Sequence, residues 1–257
     1  MKITVITPSF NQGHFIGRTI ESILSQDFAG ELEYLVIDGG STDGTLDILK
    51  SYGDRVTWVS EKDDGLADAV NKGLTRATGD IIGWLNSDDL YRPETLEKVA
   101  GYFSAHPESM WLYGKCRIID ENDREIYKNV TRYKNLSLKK FSYYRLLMEN
   151  YISQPAVFFR RSLIEKAGPL RTDLRFAMDY DLWLRFGKRC PASVIPEYLS
   201  DFRRHSQSLS ENHTARQFEE QYAVACHHGA SRIQRMVHAF NIKKILWGYK
   251  VLSAFSK

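Results

Sequence analysis

Within its first 105 residues the chain switches back and forth between the hydrophobic period of a strand and that of a helix. Residues 2–7 are rich in β-branched side chains and stop at Pro8, as a short strand does. Residues 15–26 then carry Ile16, Ile20, Ile23 and Leu24 at helical spacing. The switch repeats, with strands expected over 33–38, 56–60 and 80–85 and helices over 45–52, 66–78 and 93–105. Pro93 suits the opening of the last helix, where a missing N–H costs nothing. This alternation predicts an α/β fold: a mostly parallel sheet flanked by helices.

Sheets of that kind bind ligands beyond the carboxyl ends of their strands. Ser9, Asn11, Asp38, Asp43, Asp63, Asp64, Asn86, Asp88 and Asp89 all follow expected strands. They should therefore gather along one edge.

Beyond residue 110 the pattern is mixed. Strands are expected over 111–113, 116–119, 156–160 and 198–203, and helices over 138–149, 162–167 and 179–188. No repeat or linker divides the chain, so residues 1–210 read as one domain, with a nucleotide-binding half (1–110) and an acceptor half (111–210). Residues 211–257 differ. From Ala215 onward seven Lys or Arg face two acids, and Ile242, Ile245, Leu246, Tyr249 and Leu252 recur at helical spacing. This basic amphipathic tail is suited to an anionic membrane surface, to packing on the domain, or to a homodimer contact.

A net charge of +3 gives no argument for nucleic acid. Cys116, Cys190 and Cys226 lack disulfide or zinc spacing, which points to a reducing compartment. The N-terminus has no long apolar run or cleavage signal, so a cytoplasmic protein is expected, with an option of peripheral attachment at the inner face of the membrane.

An acidic edge of this kind fits the transfer of a sugar from a nucleotide diphosphate. A hard cation can neutralise charge on the departing phosphate. One or two carboxylates plus phosphate oxygens are often enough to hold it. A further carboxylate must take the proton of the acceptor hydroxyl.

Three segments carry a more specific signal: Thr7-Pro8-Ser9-Phe10-Asn11, Val36-Ile37-Asp38-Gly39-Gly40-Ser41-Thr42-Asp43-Gly44-Thr45 and Trp84-Leu85-Asn86-Ser87-Asp88-Asp89. In order and separation they resemble the family 2 glycosyltransferases of the GT-A fold, strongly over the first 110 residues and more weakly to His205. The resemblance implies an inverting transfer that uses Mn²⁺ or Mg²⁺ and a uridine-, deoxythymidine- or guanosine-linked donor. It implies a glycan or lipid-linked acceptor and a place in surface polysaccharide synthesis. By position, Pro8 and Phe10 would flank the donor base, Asp38 would bond it, and Asn11 and Asp43 belong to the same donor region. Asn86-Ser87-Asp88 stands where the family has an Asp-X-Asp motif, with asparagine replacing the first acid. Asp88 would hold the metal, with Asp89 and His205 as further ligands. Asp68 is a candidate for the donor phosphates. Met178-Asp179-Tyr180-Asp181 resembles the family's second acidic motif, with methionine at its first position, and Asp179 would be the catalytic base.

Each site residue also has a plainer reading. Asp38 could close a turn, Asp88 or Asp89 could cap the next helix, and Asp179 could favour a helix dipole. Asp68 could sit on a solvated face, and His205 could be a surface residue. Two other functions stay open: a sugar nucleotidyltransferase, although no basic glycine-rich loop follows the first strand, and a degenerate transferase that binds without turnover.

Overall fold

After Lys2, every residue of β1 (Lys2–Ser9) is buried. A strand covered on both faces belongs in the middle of a parallel sheet. β1 accordingly lies between β2 (Glu31–Asp38) and β4 (Ile81–Trp84), parallel to both, and β3 (Thr57–Ser60) extends the sheet beyond β2. The computed structural model describes residues 1–136, 138, 140–208 and 213–255.

The other strands are β5 (Leu90–Tyr91), β6 (Trp111–Ile119), β7 (Val157–Arg160) and β8 (Ser193–Arg203). The sheet order is β3-β2-β1-β4-β7-β6-β8-β5. β7 is antiparallel to both β4 and β6, and β8 is parallel to β6. β1, β2, β3, β4, β6 and β8 therefore run in one direction, and only β7 and the short β5 oppose them. The expected mostly parallel α/β sheet is present. The carboxyl ends of its six like-directed strands make one edge.

Two cores pack on opposite faces. One contains Ile3, Val5, Leu112 and Phe158 and is covered by α1 (Ile16–Leu24) and α4 (Thr95–Ala105). The other contains Ile6, Trp84, Trp111 and Phe159 and is covered by α3 (Leu66–Arg76) and α8 (Met178–Arg189). The odd–even split along β1 follows from alternating side-chain direction in a strand. Trp183 of α8 stacks on Trp111 at 5.9 Å, and Phe186 meets Phe159 edge-on at 5.2 Å. The remaining helices before the tail are α2 (Thr45–Ser51), α5 (Lys128–Leu136), α6 (Tyr143–Leu146) and α7 (Arg161–Ala167).

Three local expectations need correction. The strands expected at 111–113 and 116–119 are one strand, interrupted at Gly114 by a shift in pairing with β8. The helix expected over 138–149 shrinks to Tyr143–Leu146, capped by the Ser142 hydroxyl. Its apolar residues Leu138, Leu146 and Leu147, and Tyr151 and Ile152 just after it, are buried in the core with little help from helix periodicity. α5 was not expected because it has no apolar stripe.

The tail is two helices, α9 (Thr214–His227) and α10 (Arg232–Phe255). Gly229 separates them at φ 84, with Gly229 N–H donating to Cys226 and Ala230 N–H to Ala225. That is the usual glycine-terminated helix end. α9 buries Gln221, Val224 and Ala225, and α10 buries Gln234 and His238. Gln234, His238 and Asn241 bond the carbonyls of Tyr144, Leu147 and Met148. The described part of the tail thus packs on the domain. No helix among the described residues is long and apolar enough to cross a membrane.

Candidate active site

Ser9, Asp38 and Ser60 end three adjacent strands in register. Asp38 is fully buried, and its carboxylate organises the loop that follows. One oxygen accepts from Gly40 N–H (3.0 Å), Ser41 N–H (2.9 Å) and the Ser60 hydroxyl (2.7 Å); the other accepts from the Ser41 hydroxyl (2.5 Å). Asn11 joins the same loop from β1, donating its N–H to the Ser41 hydroxyl and accepting from Thr42 N–H. It does so at φ 52, a left-handed conformation that Asn tolerates. Gly39 leaves room for Asp63: a Cβ there would run into the Asp63 carboxylate.

Asp43 ties the start of α2 to the start of α1. Its carboxylate accepts from Thr45 N–H, the Thr45 hydroxyl and Gly13 N–H. Burial opposes ionisation, but the Thr45 hydroxyl and the two N–H groups outweigh it and hold the carboxyl below the usual range. Pro8 is buried within β1, while Phe10, just beyond it, is 58% exposed. Asp68 lies in the first turn of α3, accepting from Asp64 N–H and pairing with Lys72 at 3.2 Å. Its neighbours there are those of a helix-start residue.

The turn after β4 is held from three sides. Asn86 accepts from Trp84 Nε1–H (2.9 Å) and donates to Gln154 Oε1 (3.3 Å). Gln154 in turn donates to the Trp84 carbonyl at 2.6 Å. Ser87 is buried, and its carbonyl accepts from the Thr19 hydroxyl. The third side is β8. Asp89 is wholly buried and accepts Arg203 N–H at 2.9 Å, while Arg203 Nε–H donates to the Asp88 carbonyl at 2.7 Å. Burial and the adjoining Asp88 carboxylate push the Asp89 carboxyl well above its usual range.

Two residues beyond Arg203, the His205 ring lies against Phe15 and places Nε2 3.0 Å from Asp88 Oδ2. Of the three residues expected around a cation, Asp88 and His205 thus meet. Asp89 is in the same turn, but its carboxylate is committed to the backbone of β8. Among the described residues no set of three His, Cys, Asp or Glu side chains forms a ready metal cage.

Asp179 is the second residue of α8. α8 ends at Arg189, and β8 starts four residues later at Ser193. Asp179 is half-buried, and burial pushes its carboxyl up to about 6 despite N–H groups at the helix start that pull it down. Lys134 of α5 adds a nearby positive charge. Burial lowers Lys134 itself, against the pull of Cys116, Glu149 and Asp179. Asp181 faces elsewhere, buried between Arg185 (2.8 Å) and His228 (2.8 Å) as a structural ion cluster.

Lys134 and Glu220 were not among the residues singled out from sequence. Each acts through tertiary contacts made across tens of residues. An open cleft of about 470 Å³ beside α1, lined by Gly13, Arg18, Tyr52 and Asp123, contains none of the expected residues.

With this geometry in hand, comparison with known proteins is decisive. The sequence profile for glycosyl transferase family 2 matches residues 4–168. The chain belongs to the family 2 glycosyltransferases. This transferase is 32% identical over 187 residues to a PGL/p-HBAD biosynthesis glycosyltransferase of Mycobacterium bovis, covering 71% of this chain and 68% of that one. It is 28% identical to an uncharacterized glycosyltransferase of Rickettsia typhi over 86% of this chain and 70% of the relative. Its fold matches the mannosyltransferase PcManGT of Pyrobaculum calidifontis, solved with GDP-Man and Mn²⁺ (TM-score 0.72, 22% identity, 92% of this chain and 68% of that one). It also matches S. aureus TarS in complex with UDP-GlcNAc (TM-score 0.67, 21% identity, 87% of this chain and 65% of that one). Another TarS structure is longer, and the match spans 39% of it. These likenesses establish the GT-A fold. Membership in a transferase family removes the nucleotidyltransferase alternative.

Proposed function

We propose that this transferase moves a sugar, with inversion, from a nucleotide-diphosphate donor to a glycan or lipid-linked acceptor, in surface polysaccharide synthesis, and depends on Mn²⁺ or Mg²⁺. One observation carries the reading: Asp88 and His205, 117 residues apart, meet at 3.0 Å just beyond the ends of β4 and β8, on the same sheet edge as the ordered Asp38 loop.

The Asp88–His205 pair suits a divalent ion. Its oxygen and nitrogen are 3.0 Å apart, the spacing of neighbouring positions around an ion with bonds of roughly 2.1 Å. The Asp88 side chain keeps 19% of its surface exposed, leaving access for phosphate oxygens. A cation held there would neutralise charge on the diphosphate. The acceptor oxygen forms a bond to the anomeric carbon as the bond from that carbon to the diphosphate oxygen breaks. The bonding pair leaves with the diphosphate, and Asp179 takes the hydroxyl proton. A carboxyl held near 6 is well placed to be ionised yet basic at neutral pH. Pro8 and Phe10 would border the donor base, with Asn11, Asp38 and Asp43 shaping the loop beneath it. Asn86 and Ser87 keep the Asp88 turn in place.

The tail supports peripheral contact with an anionic bilayer. Ile233, Met236 and Phe240 share one face of α10, each about two-thirds exposed, near exposed Arg232, Arg235, Lys243 and Lys244. Each basic residue near such a surface contributes about 1 kcal/mol.

The test is release of nucleoside diphosphate from UDP-GlcNAc and GDP-Man with Mn²⁺, with and without membrane extract as acceptor source. Metal-dependent turnover should vanish in Asp88→Ala and Asp179→Ala, while Asp179→Ala still binds nucleotide. Full turnover by metal-free Asp88→Ala would refute the mechanism. Donor binding without turnover under every condition would leave a non-catalytic sugar-nucleotide binder.

A further inference from the structure

The first tail helix reaches into the start of α8. The Glu220 carboxylate of α9 accepts three successive backbone N–H groups: Arg175 (3.0 Å), Phe176 (2.6 Å) and Ala177 (2.6 Å). These residues lead directly into Met178 and Asp179. N–H groups at a helix start have no partner within the helix, and Ala177 has no side chain able to cap them. Glu220 instead clamps Ala177, the residue at the helix start, and the two residues before it, from another helix, and places its charge near the positive end of the helix dipole. Just past α9, His228 makes a second contact on the same turn, 2.8 Å from Asp181 Oδ1. The family profile ends at residue 168, so both sides of this clamp lie beyond it.

We propose that Glu220 is a positioning residue for Asp179: by clamping residues 175–177, which lead into α8, it fixes where the base points. This rests on the reading of Asp179 as the base. The clamp makes α9 part of the active-site scaffold. The charged and titratable groups facing Asp179 are Lys134 from α5, Glu220 from α9 and the neighbouring Tyr180. Lys134 favours the carboxylate, and Glu220 opposes it.

The experiment needs no donor or acceptor. Protein labelled with ¹³C at aspartate carboxyls is titrated by NMR, with the Asp179 signal assigned by its loss in Asp179→Asn. In Glu220→Gln the Asp179 midpoint should move to lower pH, because the opposing charge is gone while Lys134 remains. Amide exchange at residues 175–177 should accelerate in Glu220→Gln and return toward the native rate in Glu220→Asp. On a donor that the native enzyme turns over, Glu220→Gln should lose kcat by up to about 10²-fold, the cost of a small misplacement, with nucleotide affinity unchanged. An unmoved midpoint together with unchanged exchange at 175–177 would overturn the proposal. A native midpoint near 4 would instead sink the prior reading of Asp179, so the two failures are distinguishable. Glu220→Ala is avoided as the primary variant because it leaves three N–H groups without an acceptor.

Discussion

His205 Nε2 stands 3.0 Å from Asp88 Oδ2 although 117 residues separate them. The pair exists because the end of β8 is bolted to the turn after β4. Asp89 takes Arg203 N–H, and the Arg203 side chain takes the Asp88 carbonyl. Residues two positions apart on one segment thus serve opposite ends of one device: Arg203 fixes the backbone, and His205 presents a nitrogen to Asp88.

Removing either side of the pair should weaken divalent-ion binding. Losing even an outer partner of a metal ligand costs about 10–100-fold in affinity. Asp88→Asn and His205→Ala should each weaken Mn²⁺ binding by at least that much in calorimetry. Unaltered Mn²⁺ affinity in both variants would remove the pair from the metal site.

The pH dependence follows from Asp179. Its carboxylate must be ionised to accept a proton, so kcat should fall as pH drops through about 6. Stability has the opposite sign. A carboxyl raised in the folded state binds its proton more tightly there than in the unfolded chain, so stability declines as pH rises from about 4 to 6. At 1.36 kcal/mol per pKa unit the ceiling is about 3 kcal/mol, and the partial exposure of Asp179 reduces it. Asp179→Asn should therefore melt at higher temperature than the native protein at pH 7.5 while losing transfer. A lower melting temperature would contradict the strained state of this carboxyl.

Asn86 replaces the first acid of the family motif, and its surroundings explain the amide. Its Nδ2 donates to Gln154 Oε1 and lies 3.5 Å from Asp89 Oδ2. A carboxylate there would face two acceptors with nothing to donate. Asn86→Asp should destabilise by about 1–3 kcal/mol. The loss should be larger at pH 8 than at pH 5, since protonation relieves the repulsion. Urea melts at the two pH values measure it; an Asn86→Asp protein as stable as the native one at pH 8 would show that the turn has room to adapt.

The bend between the tail helices depends on Gly229 at φ 84. A side chain in the left-handed region costs roughly 1–2 kcal/mol. Gly229→Ala should lose about that much in denaturant unfolding. Faster amide exchange near His228 should accompany the loss, because the turn also sets the His228–Asp181 contact. Equal stability would mean that the bend is held by packing alone.

What the sequence revealed and what it hid divide along a physical line. β1 through α4 were legible because each element has its own period and each polar loop follows directly on a strand. Asp38, Asp88 and Asp179 were singled out through short motifs. The 138–149 region misled because its apolar residues are buried from several directions, so burial there leaves no 3.6-residue period. Lys134 and Glu220 were hidden for a related reason: a clamp or a charge supplied by another helix has no local pattern.

The ring of hydrogen bonds around Asp38 has a consequence for ligand affinity. Fixing the backbone of a free loop costs about 1–2 kcal/mol per residue at room temperature. Between Asp38 and Ser41 this cost is met when the chain folds, since the carboxylate already holds Gly40, Ser41 and Ser60. A nucleotide arriving at this edge encounters a rigid rim, so its association should carry only a small conformational-entropy penalty from that side of the cleft.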